Sequence, residues 1–179
     1  MKEETIFSGF GGQGVLSMGM VLCYAGMKEN KEVCFMPSYG PEMRGGTANC
    51  ITIISNSAIS SPIISRFDSV VALNQPSVDK FEKTIKPGGS LIYDSTNVIN
   101  PPIRSDINIY AIPGSEEAVK LNNMKVLNMI MLGAYLKVRS TVTLDSTLLG
   151  LKEIFPERYH KIIPLNIEAL EIGMSLANN

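Results

Sequence analysis

Thr5-Ile6-Phe7-Ser8-Gly9-Phe10-Gly11-Gly12-Gln13-Gly14-Val15 reads as a short strand, a glycine loop and the start of a helix that runs on to Lys28. Gly9, Gly11 and Gly14 satisfy the spacing G-x-G-x-x-G, which makes a tight turn and aims the first amides of a helix at an anion, aided by the helix dipole. Gly9, Gly11, Gly12, Gln13 and Gly14 are therefore candidate phosphate contacts. A dinucleotide site also needs an acid near the end of the second strand to hold a ribose. The second strand-like run ends in Met36-Pro37, and Glu29 and Glu32 come too early for that role. NAD binding is disfavoured, while phosphate binding survives the objection. The alternative is that the glycines only let a helix approach the sheet closely.

A second loop, Ser38-Tyr39-Gly40-Pro41-Glu42-Met43-Arg44-Gly45-Gly46-Thr47-Ala48-Asn49, separates two apolar stretches. Gly40-Pro41 turns the chain, Gly45-Gly46 can take positive φ against a ligand or neighbour, and Arg44 offers a planar fork of donors to phosphate or carboxylate. Ser38, Tyr39, Arg44, Gly45, Gly46, Thr47 and Asn49 are the candidate contacts here, against the reading of an ordinary crossover loop. The third candidate is the amide pair Asn74 and Gln75, just past the run Ser69 to Leu73, where open α/β sheets place binding groups. A plain strand-to-helix turn is its alternative.

Extended and helical runs alternate along the chain, the pattern of a layered α/β domain with a largely parallel or mixed sheet flanked by helices. Strands are predicted at Thr5 to Ser8, Glu32 to Met36, Ala48 to Ser55, Ser69 to Leu73, Ser90 to Tyr93 and Asn108 to Ile112. The third follows its loop so closely that a hairpin-like or mixed pairing with the second is expected. Helices are predicted from Gly14 to Lys28, Pro76 to Thr84, Glu116 to Leu121, Met124 to Val138, Ser146 to Phe155 and Leu165 to Ala177. Pro76 suits a first helical turn, Lys86-Pro87-Gly88-Gly89 a helix end, and Ser115 and Asp145 suit N-caps. Met124, Leu127, Asn128, Met131, Leu132 and Tyr135 recur at helical spacing as a buried face, in which Asn128 is expected to act as a structural hydrogen-bonder. Pro101-Pro102 marks a loop.

With 179 residues the chain is expected to form one domain spanning 1–179. Hydrophobic residues make up 45% and charged residues 18%, a balance that leaves apolar surface for other protein, and no apolar run reaches the roughly 20 residues of a membrane span. The net charge of −1 gathers into no patch, which argues against nucleic acid. Cys23, Cys34 and Cys50 are dispersed in apolar stretches, as core thiols of a reduced cytosol would be, and cannot alone ligate an iron–sulfur cluster. His160 is the single histidine and falls in a charged segment, which disfavours a histidine-based triad or metal site. The polar N-terminus lacks the apolar core of a secretion signal, so a cytoplasmic protein is expected.

Together, Gly9 to Val15, Pro37 to Cys50, Asn74 to Ser77, Lys86 to Gly89 and the stretch Asn128-Met129 with Leu132-Gly133-Ala134 resemble the gamma subunit of 2-oxoacid:ferredoxin oxidoreductases, most like the 2-oxoglutarate type. Branched-chain 2-oxoacids stay open. The resemblance implies a pyruvate:ferredoxin oxidoreductase gamma-domain-like fold and a complex with alpha and beta chains and often a delta chain. Those partners would carry thiamine diphosphate, Mg and iron–sulfur clusters and pass electrons to ferredoxin, while the acyl group leaves on coenzyme A. No cofactor is expected to bind stably to this chain alone, no metal or catalytic side chain is expected in it, and its loops would contact coenzyme A or pack on the thiamine-bearing chains. A homodimer is expected when the chain is isolated. The competing readings are a free-standing Rossmann-like nucleotide-binding oxidoreductase and a purely structural scaffold subunit.

Overall fold

The structure is a computed structural model that describes residues 1–39 and 46–177. Arg44 and Gly45, together with the Gly40-Pro41 turn, lie outside the described residues. The strands are β1 Lys2–Phe10, β2 Glu32–Tyr39, β3 Thr47–Ser55, β4 Phe67–Ala72, β5 Ile85–Asp94 and β6 Asn108–Ile112. They form one sheet in the order β2-β3-β1-β4-β5-β6. β1, β4, β5 and β6 run parallel. β3 is antiparallel to both β1 and β2, so the sheet is mixed and the hairpin expected of the second and third strands places its return strand between β2 and β1. β2 and β6 are the edge strands, and β2 carries Pro37.

The helices are α1 Val15–Lys28, α2 Gln75–Phe81, α3 Gly114–Lys120, α4 Leu127–Arg139, α5 Leu144–Ile154 and α6 Ile163–Leu176. One face of the sheet, through Phe7, Cys50, Val71 and Ile92, packs under α1, α3, α4, α5 and α6. The other face, through Ile6, Val70, Ala72 and Leu91, is covered by Val78 of α2 and by Val98 and Ile107 of the β5–β6 connection.

Several boundaries differ from the sequence expectation for physical reasons. The polar Lys2-Glu3-Glu4 belongs to β1, because its charges are matched by neighbours. Glu3 accepts from Ser69 Oγ at 2.7 Å and from Arg139 through both oxygens, at 2.9 and 2.6 Å. Glu4 meets Lys2 and Lys86. Lys86 to Gly89 does not end a helix but bulges within β5, where the pairing register jumps between Phe67↔Ile85 and Ser69↔Ser90. Asp145 is not the cap of α5: Thr143 is, its side chain accepting from the Ser146 amide. Nor does Ser115 cap α3. It lies inside the helix, and buried Asp94 accepts from both its amide, at 3.1 Å, and its hydroxyl, at 2.6 Å.

The largest correction concerns α4, read as a one-sided stripe. Every residue from Leu127 to Leu136 is buried, whereas Met124 precedes the helix in a short 3-10 turn and is 51% exposed. The sheet lies on one side of α4, and α6 covers the other. A Cβ at Gly133 would collide with the Leu170 carbonyl oxygen, and one at Gly173 with the Ile130 carbonyl oxygen. The two glycines therefore let α4 and α6 approach backbone to backbone. Gly133→Ala or Gly173→Ala must push the helices apart and should each cost about 1–3 kcal/mol or more, read from urea unfolding curves.

Glu29 joins the end of α1 to the start of α5. Its Oε1 accepts from the Thr143 amide at 2.6 Å and hydroxyl at 2.8 Å, and its Oε2 pairs with Lys31 at 2.7 Å. Partial burial alone would push this carboxyl up, but Lys31, both Thr143 donors and Ser146 outweigh that and hold its pKa down at about 2 instead of 4.5. A depressed carboxyl stabilises the fold fully above its unfolded value, and the contribution vanishes as pH falls through the folded one. At roughly 1.4 kcal/mol for each tenfold change in proton affinity, Glu29 contributes on the order of 3 kcal/mol at neutral pH. The stability gap between wild type and Glu29→Gln should accordingly be full at pH 7 and close as pH falls from 4.5 towards 2, measured by denaturant titration at each pH.

Candidate functional site

β1 and β4 are adjacent and parallel, yet the chain leaves them in opposite directions. From β1 it passes to α1 on one face, and from β4 to α2 on the other. Such a divergence opens a crevice beyond the strand ends, the usual binding place of open α/β sheets. The glycine loop forms one lip and Asn74 the other. The Leu73 amide donates to the Ser8 carbonyl at 2.9 Å, which fixes the two lips side by side.

Within the glycine loop, Gln13 Oε1 accepts from the Phe10 amide at 2.6 Å, and the Gln13 amide donates to the Phe10 carbonyl at 3.1 Å. The Gln13 side chain thus holds the turn closed. Gly12 and Gly14 have φ of +98° and +76°, a region costly for any residue with a Cβ. A Cβ at Gly12 would meet nothing within 4 Å, so open space lies over the loop there. Gly14 precedes α1 with no side-chain cap, and no acid occupies the first turn of that helix. The Val15, Leu16 and Ser17 amides have no acceptor among the described residues. That end of α1 is electropositive and free to meet an anion. Asn128, on α4, donates from Nδ2 to the Gly14 carbonyl at 3.3 Å and accepts the Met129 amide at Oδ1. Its amide secures the loop.

The β2–β3 hairpin reaches the same edge of the sheet. Ser38 and Tyr39 pair with Asn49 and Ala48 on one side of β3, while Asn49 and Thr47 lie opposite Ser8 and Phe10 on the other. The two loops are joined directly: the Gly11 amide donates to the Gly46 carbonyl at 2.8 Å. Ser38 and Thr47 are exposed, whereas Gly46 and Asn49 are half-buried. Ser8, not singled out in the sequence, donates its hydroxyl to Ser77 at 2.9 Å. Its one sequence signal was its position immediately before Gly9.

Asn74 and Gln75 are both polar amides, but the fold uses them differently. Asn74 is buried, and its Oδ1 caps α2 by accepting from the Ser77 amide at 2.9 Å. Gln75 faces the β5–β6 connection, where Nε2 donates to the Asn100 carbonyl and Oε1 accepts the Asn100 amide, each at 2.9 Å. Gln75 also bonds Asp79. Its hydrogen-bonding groups are thus engaged within the chain.

Among the described residues no group of three or more His, Cys, Asp or Glu is arranged to hold a metal ion. Cys23 and Cys50 direct their thiols at the carbonyls of Cys34 and Val15. Burial pushes the Cys23 thiol up to about 12 and raises that of Cys50 as well, which keeps both protonated and unsuited to cluster ligation. His160 is exposed, with Nε2 2.8 Å from the Phe155 carbonyl oxygen. No helix among the described residues is long and apolar enough to cross a membrane.

Residues 4–176 match the family described as pyruvate ferredoxin/flavodoxin oxidoreductase. The ketoisovalerate oxidoreductase subunit VorA of Methanothermobacter thermautotrophicus is 37% identical over 171 residues, covering 95% of this chain and 35% of that protein. The chain thus spans about a third of the length of the VorA relatives it matches. The 2-oxoglutarate synthase subunit KorC of Methanocaldococcus jannaschii is 34% identical over 149 residues, covering 82% of this chain and 80% of KorC. Among solved structures, a keto/oxoacid ferredoxin oxidoreductase gamma subunit from Geobacter sulfurreducens superposes with a TM-score of 0.83 at 28% identity, covering 98% of both chains. A 2-oxoglutarate:ferredoxin oxidoreductase from Magnetococcus marinus, solved with 2-oxoglutarate, coenzyme A and succinyl-CoA, gives 0.89 at 25% identity over 98% of this chain and 31% of that one.

The two left-handed glycines should respond unequally to a methyl group. Gly12→Ala meets only the backbone cost, about 1–2 kcal/mol. Gly14→Ala adds a clash, since its Cβ would come within 2.5 Å of Asn128 Nδ2. Thermal unfolding should therefore rank Gly14→Ala as the less stable, and Asn128→Ala in the same chain should recover the difference between the two.

Proposed function

This chain belongs to the pyruvate ferredoxin/flavodoxin oxidoreductase family, and we propose that it works there as the accessory gamma subunit of a thiamine-dependent 2-oxoglutarate:ferredoxin oxidoreductase. In this reading a 2-oxoacid is oxidatively decarboxylated in the cytoplasm, the acyl group leaves on coenzyme A, and electrons pass to ferredoxin. Alpha and beta chains, with or without a delta chain, carry thiamine diphosphate, Mg and the iron–sulfur clusters. The thiols of Cys23 and Cys50, directed at backbone carbonyls of this chain, do not fit a cluster. Its part, as one domain over its full length, is to shape and close the coenzyme A region.

The observation that carries the reading is the bond between the Gly11 amide and the Gly46 carbonyl. It holds the glycine loop against the base of the arginine loop, at the crevice between β1 and β4. Free helix amides and the guanidinium of Arg44, two positions before Gly46 in the sequence, are groups of the kind that bind a pyrophosphate or ribose phosphate. The likeness to KorC supports 2-oxoglutarate as substrate. A branched-chain 2-oxoacid is the second reading, favoured by the 37% identity to a ketoisovalerate oxidoreductase subunit.

A tagged copy of this chain should purify with its partner chains as a complex that reduces a viologen dye with 2-oxoglutarate and coenzyme A, while the chain alone turns nothing over. Preference for 3-methyl-2-oxobutanoate would select the second reading, and turnover by the lone chain would end both. In the complex, Arg44→Ala should raise the KM for coenzyme A roughly tenfold to hundredfold, the loss of one charge-assisted hydrogen bond. An unchanged KM would assign Arg44 to a subunit contact instead.

A further inference from the structure

The two faces of the sheet are finished unequally. Five helices lie on the first face, whereas α2, seven residues long, is the one α-helix on the second among the described residues. A sheet built largely of parallel strands is normally buried beneath helices on both faces. Here two connections complete the second cover, 56–66 between β3 and β4 and 95–107 between β5 and β6. Each turns some apolar side chains inward and others outward. Ile64, Val98 and Ile107 pack into the second core, while Ile63 is 82% exposed, Ile99 79% and Ile103 fully. These are the three most exposed large apolar side chains among the described residues. Residues 56–65 and 95–103 contain no Asp, Glu, Lys or Arg, so no charge stands beside the isoleucines within either segment. The longer connection is also held in shape. Gln75 binds both the amide and the carbonyl of Asn100, and Arg104 donates to the Glu82 carbonyl at 2.5 Å while pairing with Asp106.

We infer that Ile63, Ile99 and Ile103 form a docking face for an adjoining protein chain of the assembly, whose uncharged apolar surface supplies the outer layer that this side of the sheet lacks. The core of a protein interface is poor in charge, and a loop already fixed in shape loses little freedom on binding. The longer relatives point to the occupant. This chain matches only 35% of VorA and 31% of the Magnetococcus marinus chain, so further polypeptide accompanies the domain in both. A lipid surface fits less well, because a face that lies on a membrane gathers Lys and Arg around its apolar residues, and these two segments carry none. That the occupant is a subunit of the oxidoreductase rests on the reading above. The face itself follows from the exposure of the isoleucines, the absence of charge beside them and the thin second cover.

Reassembly of the complex from this chain and its alpha and beta chains tests the face. Ile63→Ser, Ile99→Ser and Ile103→Ser together should weaken association roughly tenfold or more, while the circular dichroism and unfolding midpoint of the chain stay those of wild type, since these side chains already meet water. Val119→Ser with Leu149→Ser, exposed on α3 and α5, should leave association unchanged. In the wild-type chain, hydrogen exchange within 56–66 and 95–107 should slow on assembly, a readout that does not depend on how the triple variant folds. Unchanged association of the triple variant, equal weakening by the control pair, or unchanged exchange in both segments would each overturn the docking face and leave the subunit reading standing. Binding of the lone wild-type chain to phosphatidylcholine vesicles, lost in the triple variant, would assign the isoleucines to a lipid surface and overturn it as well. A wild-type chain that joins no partner would end the subunit reading and the docking face together.

Discussion

The antiparallel course of β3 is the constraint on which the functional edge of the molecule depends. A purely parallel sheet would carry the chain from β2 through a crossover and bring it back elsewhere. Here β3 returns between β2 and β1, so Gly46, just ahead of β3, arrives beside the glycine loop, and the Gly11–Gly46 hydrogen bond ties the two together. The third element of the edge, Asn74, needs only the ordinary parallel pairing of β4 with β1. The glycine loop and the segment at Gly46 meet because one strand runs against its neighbours.

Function and stability are divided between the two ends of the sheet. At the amino end of β1, Glu3 is held by Arg139 and Ser69, and Glu4 by Lys2 and Lys86. These charges are matched, so removing one partner would strand a buried ion. At the opposite end the amides of the first turn of α1 have no acceptor, and Asn74 Nδ2 no partner, among the described residues.

The periodic parts of the fold were legible in the sequence. Strand alternation, glycine punctuation and the hairpin after Ser38 located the elements. What escaped depended on distant partners. Lys2-Glu3-Glu4 looks like a solvated end until Arg139 and Lys86 are brought alongside. The cap of α3 comes from Asp94, twenty-odd positions upstream, and no local rule would find it. Asn74 and Gln75 are alike on paper, but only the fold shows that Asn100 engages one of them. α4 appeared amphipathic because Gly133 and the small residues around it hide how closely α6 approaches.

The outermost strand has a further consequence. An exposed edge normally offers a row of donors and acceptors on which a second sheet can grow, and natural proteins blunt it. Pro37 breaks that row in β2, so self-association of free copies by sheet extension is discouraged along this margin. Free copies of the chain are thereby spared from polymerising through this flank.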